Sequence, residues 1–467
     1  MKKYLNISVF VLAFGLFLSA CKDDIPGPMD TSSKVTVLKS IKIINAGENG
    51  SDIVEGTIDE DSKTVDFPRL DTLTDFSNLK FEAEMSDGAT LEKETYSVDF
   101  DGESSQSLVV KVVNEPRFRE YIANLRLLVP VYGADFEKPT IYDFSASTTP
   151  HPSFTSLNVR GTGFDGEHVL VIDRGSAGPH LLKVEDLKNK EINEIPLNTT
   201  GVTGGTFPYN MGAQVNGHTY VVSLSTTASD PLRIYHWTDP SSEPDLVYDV
   251  LTGDIPGAGA RNGDNLSFNL DENGNGYVYF ISMGKEVLRI TVKDYTLFSD
   301  PKAFNLSETY GQWSSFLQAG NTDQYLVTSN ILPISVVNEG GTAAYTMDAS
   351  TVPQQGNDAR IIEFNGERYL LLVTVARYAG ETANIEVYDI TKGADLVEAL
   401  SSLDDNPKKP IYTHSLTSNE NAAPGAQTGF HIIKDAEGND EKLLIYGAHS
   451  DAGFAVIEFP VNTLEEE

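Results

Sequence analysis

Aromatic, basic and acidic side chains recur in the long loops of residues 134–467, and these are residue types from which a binding site can be built. Sugars offer flat C–H faces that pack on aromatic rings, and hydroxyl groups that bond to planar polar groups. Eleven residues of these types are the candidate ligand-binding residues: Arg174, Tyr209, Arg261, Asp264, Tyr310, Trp313, Arg360, Arg377, Tyr378, His449 and Asp451. Their chemistry predicts an oligo- or polysaccharide ligand.

Catalytic and metal-binding patterns are absent or incomplete in the sequence. Asp271, Asn273, Asn275 and Gly276 match the first half of a calcium loop, but the twelfth position is Ser282, where that loop needs a bidentate glutamate. The chain contains no Gly-x-Ser-x-Gly turn, no glycine-rich phosphate loop and no HExxH pattern. We therefore predict no catalytic residue, no metal and no cofactor.

An enzyme that cleaves a glycan is the alternative that the acidic residues leave open. Glycosidases use two carboxylates about 5 to 10 Å apart, and Asp173, Asp264, Asp358 and Asp451 could meet near a common axis. With 68 acidic residues in the chain, however, four on one face are close to what chance provides. Whether the protein is an enzyme stays open, and binding without catalysis is favoured.

The C-terminal region repeats one pattern six times, in which an apolar strand, a tight polar turn and a strongly apolar strand follow one another. Asn216-Gly217 and Asn365-Gly366 are two-residue turns that match the twist of paired strands. Most units add two further strands, and four strands per unit is the arrangement of a β-propeller. We predict six blades, with five or seven as alternatives. The last unit is one strand short, and residues 140–144 can supply that strand and close the ring.

The two faces of the predicted propeller differ in loop length. The turns between the first and second strands are short, whereas the second-to-third strand loops and the crossings between blades are long and lie on the opposite face. Long loops on a rigid scaffold are where binding residues usually lie. The eleven candidate residues fall in these long loops, so we expect them to converge on one face.

Residues 34–133 are predicted to form a separate all-β domain. About seven short segments of alternating apolar and polar residues, among them Leu79–Ala83 and Ser107–Val113, indicate strands. The Ser-Asp-Gly-Ala-Thr stretch at 86–90 resembles a turn of Ig-like modules. The resemblance implies a small Ig-like β-sandwich ahead of the propeller at 134–467.

The chain begins with the architecture of a secretory signal that ends at a cysteine. A positive start and a short apolar run lead into Leu-Ser-Ala-Cys at 18–21, which resembles the lipobox of bacterial lipoproteins. Cys21 is the single cysteine of the chain. These features predict a signal peptide at 1–20, lipidation of Cys21 and a tether at 21–33.

The charge of the chain limits its partners. The sequence contains 34 Lys+Arg and 68 Asp+Glu, a formal charge of −34 at pH 7. A field of this sign repels nucleic acid and anionic membrane surfaces, so nucleic acid is not an expected partner. It also opposes tight binding of a highly acidic polymer, unless a local basic site compensates.

Residues 18–24, the turn at 86–90 and the six hairpin units together resemble a family of Bacteroidota-type surface lipoproteins. Members of this family carry an Ig-like module before a β-propeller and are associated with glycan-uptake systems, and Lys22-Asp23-Asp24 resembles their surface-export signal. The resemblance implies a lipid anchor in the outer membrane, exposure at the cell surface and a place in a glycan-uptake complex. Binding of an extracellular glycan on the loop-rich face is the leading function. A propeller glycoside hydrolase or lyase, and a protein-interaction scaffold in an envelope complex, are the alternatives.

Overall fold

The computed structural model describes residues 34–463 apart from 129–130, 149, 321, 354–355, 418, 422 and 424. The predicted signal peptide, Cys21 and the tether lie outside the described residues. Across the described part of the chain, no helix combines the length and the apolar character needed to cross a membrane. The chain forms two compact units that divide after residue 130.

The first unit is built from eight strands. They are β1 (Leu38–Ala46), β2 (Asp52–Asp59), β3 (Thr64–Asp66), β4 (Leu79–Met85), β5 (Thr90–Leu91), β6 (Thr95–Tyr96), β7 (Ser105–Asn114) and β8 (Arg117–Arg126). A short 3-10 helix, Phe76–Asn78, precedes β4. The strands form one hydrogen-bonded order, β5-β7-β8-β3-β2-β1-β4-β6. All neighbouring pairs are antiparallel except β3 and β8, which run parallel.

A single core fills the inner side of this sheet. Ile43, Phe81, Val112 and Tyr121 come from strands that are far apart in the order, yet they belong to one buried cluster, so the sheet curls on itself. The two separate sheets of an Ig-like sandwich are not shown, because the parallel β3–β8 pair joins the strands into one sheet. That pairing is long-range, and no local sequence pattern announces it.

The second unit is a six-bladed β-propeller, which confirms the predicted blade number. Blade 1 contains β10 (Val159–Phe164), β11 (His168–Asp173), β12 (Pro179–Lys183) and β13 (Ile195–Pro196); blade 2 contains β14 (Phe207–Val215), β15 (His218–Leu224), β16 (Pro231–Trp237) and β17 (Asp245–Leu251); blade 3 contains β18 (Leu266–Leu270), β19 (Gly276–Ile281), β20 (Glu286–Lys293) and β21 (Leu297–Asn305); blade 4 contains β22 (Ser315–Gln318), β23 (Gln324–Thr328), β24 (Ser335–Asn338) and β25 (Ala343–Thr346); blade 5 contains β26 (Gly356–Phe364), β27 (Glu367–Thr374), β28 (Ala383–Asp389) and β29 (Tyr412–Thr417); blade 6 contains β30 (Ala426–Lys434), β31 (Asp440–His449), β32 (Gly453–Pro460) and β9 (Thr140–Ser145).

Two of the first-to-second strand turns follow the sequence signal directly. Asn216 and Gly217 have φ angles of 49° and 79°, and Asn365 and Gly366 have φ angles of 44° and 78°. Positive φ at both central residues is what a type I′ turn requires. These turns therefore join β14 to β15 and β26 to β27 with the twist that the paired strands need.

Strand β9 closes the ring by pairing with β32. Phe144 is opposite Phe454 in the register, and Ile141 is opposite Ile457. The Phe144 side chain is 3% exposed, and its ring stacks on that of Phe454 with 5.3 Å between the centroids. The predicted closure is thus confirmed, and it leaves the first and last blades without free edges at the junction.

The inner strands β10, β14, β18, β22, β26 and β30 surround the axis. Blades 1 and 2 approach each other most closely at two glycines of β10: a Cβ atom on Gly161 or Gly163 would lie 2.6 Å from the backbone of Met211 or Gln214. A side chain at either position would force these strands apart, so glycine is required there.

The helices of the propeller unit are short and lie outside the ring of inner strands. They are α1 (Val184–Lys188), α2 (Leu396–Asp405) and a 3-10 helix at Thr252–Asp254. The Asp395 side chain caps α2 by accepting a hydrogen bond from the Glu398 backbone. The buried residues of α2 have helical spacing: Leu396, Ala399, Leu400 and Leu403. They pack against the outer parts of blades 4 and 5.

Candidate ligand-binding site

A cavity of about 340 Å³ lies on the propeller axis, toward the face of the short turns. Its lining mixes polar and apolar side chains of the inner strands, among them Ser267, Gln318, Phe268 and Phe430. Of the eleven candidate residues, Arg360 alone belongs to this lining. The cavity is therefore distinct from the face on which the sequence places the site.

Polar groups of this cavity are engaged by the protein itself. The Ser267 hydroxyl donates a hydrogen bond to the backbone oxygen of Phe316, and the Gln318 amide donates to the backbone oxygen of Thr322 at 2.7 Å. Groups that are satisfied in this way gain little from a ligand. The cavity is thus the weaker of the two axial candidates.

The opposite end of the axis gathers residues from all six blades and their crossings, and we call it the mouth. Its residues are Arg160, Arg174, Phe207, Arg261, Asp264, Gln312, Trp313, Arg377, Tyr378 and His449. Arg160 lies at the start of β10, whereas the axial cavity lies toward the end of that strand. Four of these residues, Arg160, Arg174, Arg261 and Arg377, form what we call the arginine cluster.

Trp313 is the buried anchor of the mouth. The guanidinium carbons of Arg160 and Arg377 lie 5.6 and 5.2 Å from the centre of its ring, within the range of cation–π attraction. When the Gln312 amide oxygen faces its donors, it accepts hydrogen bonds from Trp313 Nε1 at 3.2 Å and Arg261 Nη2 at 2.7 Å. The φ angle of Trp313 is 65°, a left-handed conformation that costs about 1–3 kcal/mol and persists where the surroundings fix it.

Two exposed aromatic rings accompany the arginine cluster. Phe207 is 38% exposed and Tyr378 is 59% exposed. The guanidinium carbon of Arg174 lies 4.0 Å from the centre of the Phe207 ring, and that of Arg377 lies 5.3 Å from the centre of the Tyr378 ring. Each ring therefore presents apolar surface to solvent beside a cationic donor.

The charges of the arginine cluster are unevenly paired. Asp264 accepts hydrogen bonds from both Nε and Nη2 of Arg261, a bidentate ion pair. Among the residues that the structure describes, no carboxylate lies at ion-pairing distance from the guanidinium groups of Arg160, Arg174 or Arg377. The mouth therefore carries an excess of positive charge.

Arg160 and Arg174 are also incompletely hydrogen-bonded. Arg160 is 6% exposed; its Nη1 donates to the backbone oxygen of Ala423, while its buried Nε has no partner in the described structure, and the same is true of Arg174 Nε. Burial lowers the pKa of Arg160, and burial followed by the charge of Arg160 lowers the pKa of Arg174 to about 10. Both groups remain charged at neutral pH.

His449 lies beside Arg160 and is fully buried. Neither of its ring nitrogens has a hydrogen-bond partner in the described structure. Burial and the charge of Arg160 lower the pKa of His449 to about 4. The ring is therefore neutral at pH 7, with one N–H group and one lone pair unused.

The structure brings most of the candidate residues together. Those in the mouth are Arg174, Arg261, Asp264, Trp313, Arg377, Tyr378 and His449. The other four have different surroundings: Tyr209 packs against the core of blades 1 and 2, Tyr310 is 2% exposed in the core of blades 3 and 4, Arg360 lines the axial cavity, and Asp451 accepts a 2.6 Å hydrogen bond from the Ser156 backbone.

Sequence reasoning missed Arg160, Phe207 and Gln312. Arg160 and Phe207 lie at the first turn-side positions of inner strands rather than in long loops. A signal for Arg160 was present, because it is the only charged residue in a strand of apolar and small residues, Val-Arg-Gly-Thr-Gly-Phe. A charge in such a strand indicates a functional or paired group.

His151, His180 and Glu194 form a second cluster of metal-ligating residue types. The Nε2 atoms of the two buried histidines lie 3.7 and 3.8 Å from Glu194 Oε1. His151 Nδ1 accepts from the Ser153 backbone at 3.2 Å, so the proton of its neutral ring is on Nε2; His180 Nδ1 lies 2.8 Å from the Gly178 oxygen, which leaves its Nε2 unprotonated. The set thus offers two ready ligands, fewer than a protein metal site normally uses.

Buried histidines make the stability of the fold sensitive to acid. Burial, followed by a neighbouring histidine or arginine, lowers the pKa of His151, His236 and His449 to about 4, from an ordinary value of 6.5. Between these values the unfolded chain binds more protons than the folded one, so stability is present above pH 6.5 and is lost as the pH falls toward 4. Three such groups give a slope of about 4 kcal/mol per pH unit.

Urea denaturation of the protein between about pH 7.5 and pH 5 measures this slope. We expect the unfolding free energy to fall steadily below about pH 6.5, and His449→Asn to remove roughly a third of the slope. A stability that is flat from pH 6.5 to pH 5 would show that these rings are not held neutral in the folded state.

Residues 23–462 match the DUF4623 family, described as a domain of unknown function. The crystal structure of a DUF4623 family protein from Bacteroides eggerthii DSM 20697 is 40% identical to this chain, with a TM-score of 0.79, and the match covers 92% of this chain and 100% of that chain. An endo-arabinase from Bacteroides thetaiotaomicron VPI-5482 is 12% identical, with a TM-score of 0.34 over 68% of this chain and 97% of that chain. At such a TM-score the likeness says nothing about the ligand or activity of this chain. No curated protein matches it.

Proposed function

Because the chain belongs to the DUF4623 family, for which no function is described, we propose that its propeller binds an extracellular glycan at the mouth. The observation that carries this proposal is the pair of exposed rings, Phe207 and Tyr378, each beside a guanidinium group. They belong to blades 2 and 5, which are three positions apart in a ring of six and so face each other across the axis. A ligand that contacts both rings has to span the mouth, which favours an oligosaccharide over a single sugar.

The physical basis is the match between these groups and the surface of a sugar. The C–H face of a sugar removes aromatic surface from water, which contributes about 25 cal/mol for each Å² of apolar area buried. The guanidinium groups beside the rings donate hydrogen bonds to hydroxyl oxygens. Because Arg174 and Arg377 are already held against aromatic rings, they lose less conformational freedom when they bind.

The acids considered for hydrolysis are engaged in holding the structure. Each accepts a hydrogen bond from the protein: Asp173 from Gly175, Asp264 from Arg261, Asp358 from Thr428 and Asp451 from Ser156. A glycosidase needs one carboxyl group free to give a proton and another free to attack or to activate water. These contacts favour binding without cleavage.

The proposal extends to the setting in which the site works. Lipidation of Cys21 would anchor the protein in the outer membrane, and the first unit, as an Ig-like module, would act as a spacer below the propeller in a glycan-uptake complex. The pattern of residues 18–24 supports this. Labelling of cells with radioactive palmitate tests it: label should enter the protein and be lost in Cys21→Ser, and label that persists in the variant contradicts it.

A binding screen of residues 22–467 tests the function itself. Affinity electrophoresis and calorimetry against plant, host and microbial glycans, each also assayed for released products, should show retention by at least one glycan class without products. Released products would make the protein an enzyme. Silence across the panel, with protein partners in pull-downs, would overturn glycan binding in favour of a scaffold.

A further inference from the structure

The arginine cluster is unusual in a protein of this charge. The chain carries a formal charge of −34, yet four guanidinium groups meet at one end of the propeller axis and one carboxylate, that of Asp264, pairs with them. The like charges oppose each other: the charges of Arg160 and Arg261 both lower the pKa of Arg174. An arrangement that costs stability in the free protein calls for a compensating partner.

The unused hydrogen-bonding atoms show what that partner would offer. Arg160 is 94% buried by the measure of its 6% exposure, and its Nε lacks an acceptor, as does Nε of Arg174. A buried cationic donor without an acceptor costs several kcal/mol, of which an incoming anion returns a large part. His449, beside Arg160, adds an unused ring nitrogen to the same region.

The geometry of guanidinium narrows the chemistry of the partner. Its planar fork of N–H donors matches the oxygens of a carboxylate or a sulfate, and such charge-assisted bonds are about twice as strong as neutral ones. Hydroxyl groups alone do not neutralise the charge. A neutral glycan would therefore leave the excess charge of the mouth uncompensated.

We propose that the glycan bound at the mouth is acidic, and that Arg160 and Arg174 bind its oxyanion, the carboxylate of a uronic acid or a sulfate ester. The inference rests on the proposed glycan-binding function and narrows its ligand class. The exposed rings Phe207 and Tyr378 bind the sugar rings, and the arginine cluster reads the charge. The local basic site thus overcomes the repulsion that the overall charge imposes on acidic polymers.

Matched pairs of polymers test this inference, with calorimetry on residues 22–467 as the readout. Polygalacturonate is compared with its carboxyl-reduced form, and dextran sulfate with dextran, so that the two arms separate carboxylate from sulfate. We expect one charged polymer to bind at least about 100-fold more tightly than its neutral counterpart, and raising the salt from about 50 to 300 mM to weaken it.

Arginine variants locate the effect. Arg160→Gln and Arg174→Gln should each weaken binding of the charged polymer by at least about tenfold and leave any binding of the neutral polymer unchanged. Arg289→Gln is the matched control, because Arg289 also lies against an aromatic ring, Tyr277 at 4.7 Å, but is paired with Glu339 in blade 3. If Arg160→Gln fails to fold, Arg160→Lys keeps the charge and removes the fork, and it should still weaken binding.

The outcomes separate this inference from the function on which it rests. Equal binding of charged and neutral polymers overturns the acidic ligand and leaves glycan binding intact. If no polymer binds, glycan binding fails, and sodium sulfate titrated into Trp237→Phe protein decides the anion site through the fluorescence of Trp313, the one remaining tryptophan. A saturating change that Arg160→Gln abolishes supports the oxyanion site, and no change overturns it.

Discussion

Replacement of Phe207 and Tyr378 together by alanine is expected to weaken glycan binding by about 1000-fold. Each ring is exposed in the free protein and would be covered by a sugar, and loss of such a contact costs about 2 kcal/mol, or roughly 30-fold in affinity. Because the residues lie on blades 2 and 5, they share no contact partner, and their effects should add. Calorimetry with the glycan found in the screen measures the single and double variants.

Phe118→Ala is the matched control for the exposed rings. Phe118 is 60% exposed, and Lys111 Nζ lies 4.7 Å from the centre of its ring, so it has the exposure and the cationic neighbour of Tyr378 in a different unit of the chain. Its replacement should leave affinity unchanged. Full affinity in the double variant, with its fold intact, would show that the glycan binds elsewhere.

Phe144→Ala is expected to lower the free energy of unfolding by about 4 kcal/mol. The buried Phe144 ring packs on Phe454 between the strand that closes the ring and the last blade, and removal of a buried phenylalanine leaves a cavity that the neighbours fill only partly. Closure depends on this single strand, so its loss should also reduce the cooperativity of unfolding. Urea denaturation followed by fluorescence measures both quantities.

Ile141→Ala provides the comparison on the same strand. Ile141 is 42% exposed and pairs with β32 through its backbone, so its replacement should cost less than about 1 kcal/mol. Equal effects of the two substitutions would mean that closure does not depend on the buried ring. A negligible effect of Phe144→Ala would mean that β9 contributes little to holding the propeller shut.

The propeller could be predicted because its signals are local. Asn216-Gly217 and Asn365-Gly366 encode their hairpins in two residues, and apolar runs mark the strands on either side. The first unit was harder, since the pairing of β3 with β8 that makes one sheet of eight strands joins residues far apart in sequence. Loop length placed the binding face by the same local logic.

The composition of the mouth was predictable only in part, because sequence does not report burial in loops. Tyr310 and Tyr378 both lie in long loops, yet one is 2% and the other 59% exposed. Arg160 escaped because it lies inside a strand rather than in a loop. The uneven pairing of the arginine cluster arises from several blades at once, and only the closed ring brings those charges together.

A crystal structure of the protein with the tightest acidic oligosaccharide from the screen is the most direct test of glycan binding at the mouth. The account predicts sugar rings against Phe207 or Tyr378 and an oxyanion within hydrogen-bond distance of the guanidinium groups of Arg160 and Arg174. A ligand in the axial cavity beside Gln318 and Phe430, or on the first unit, would contradict it.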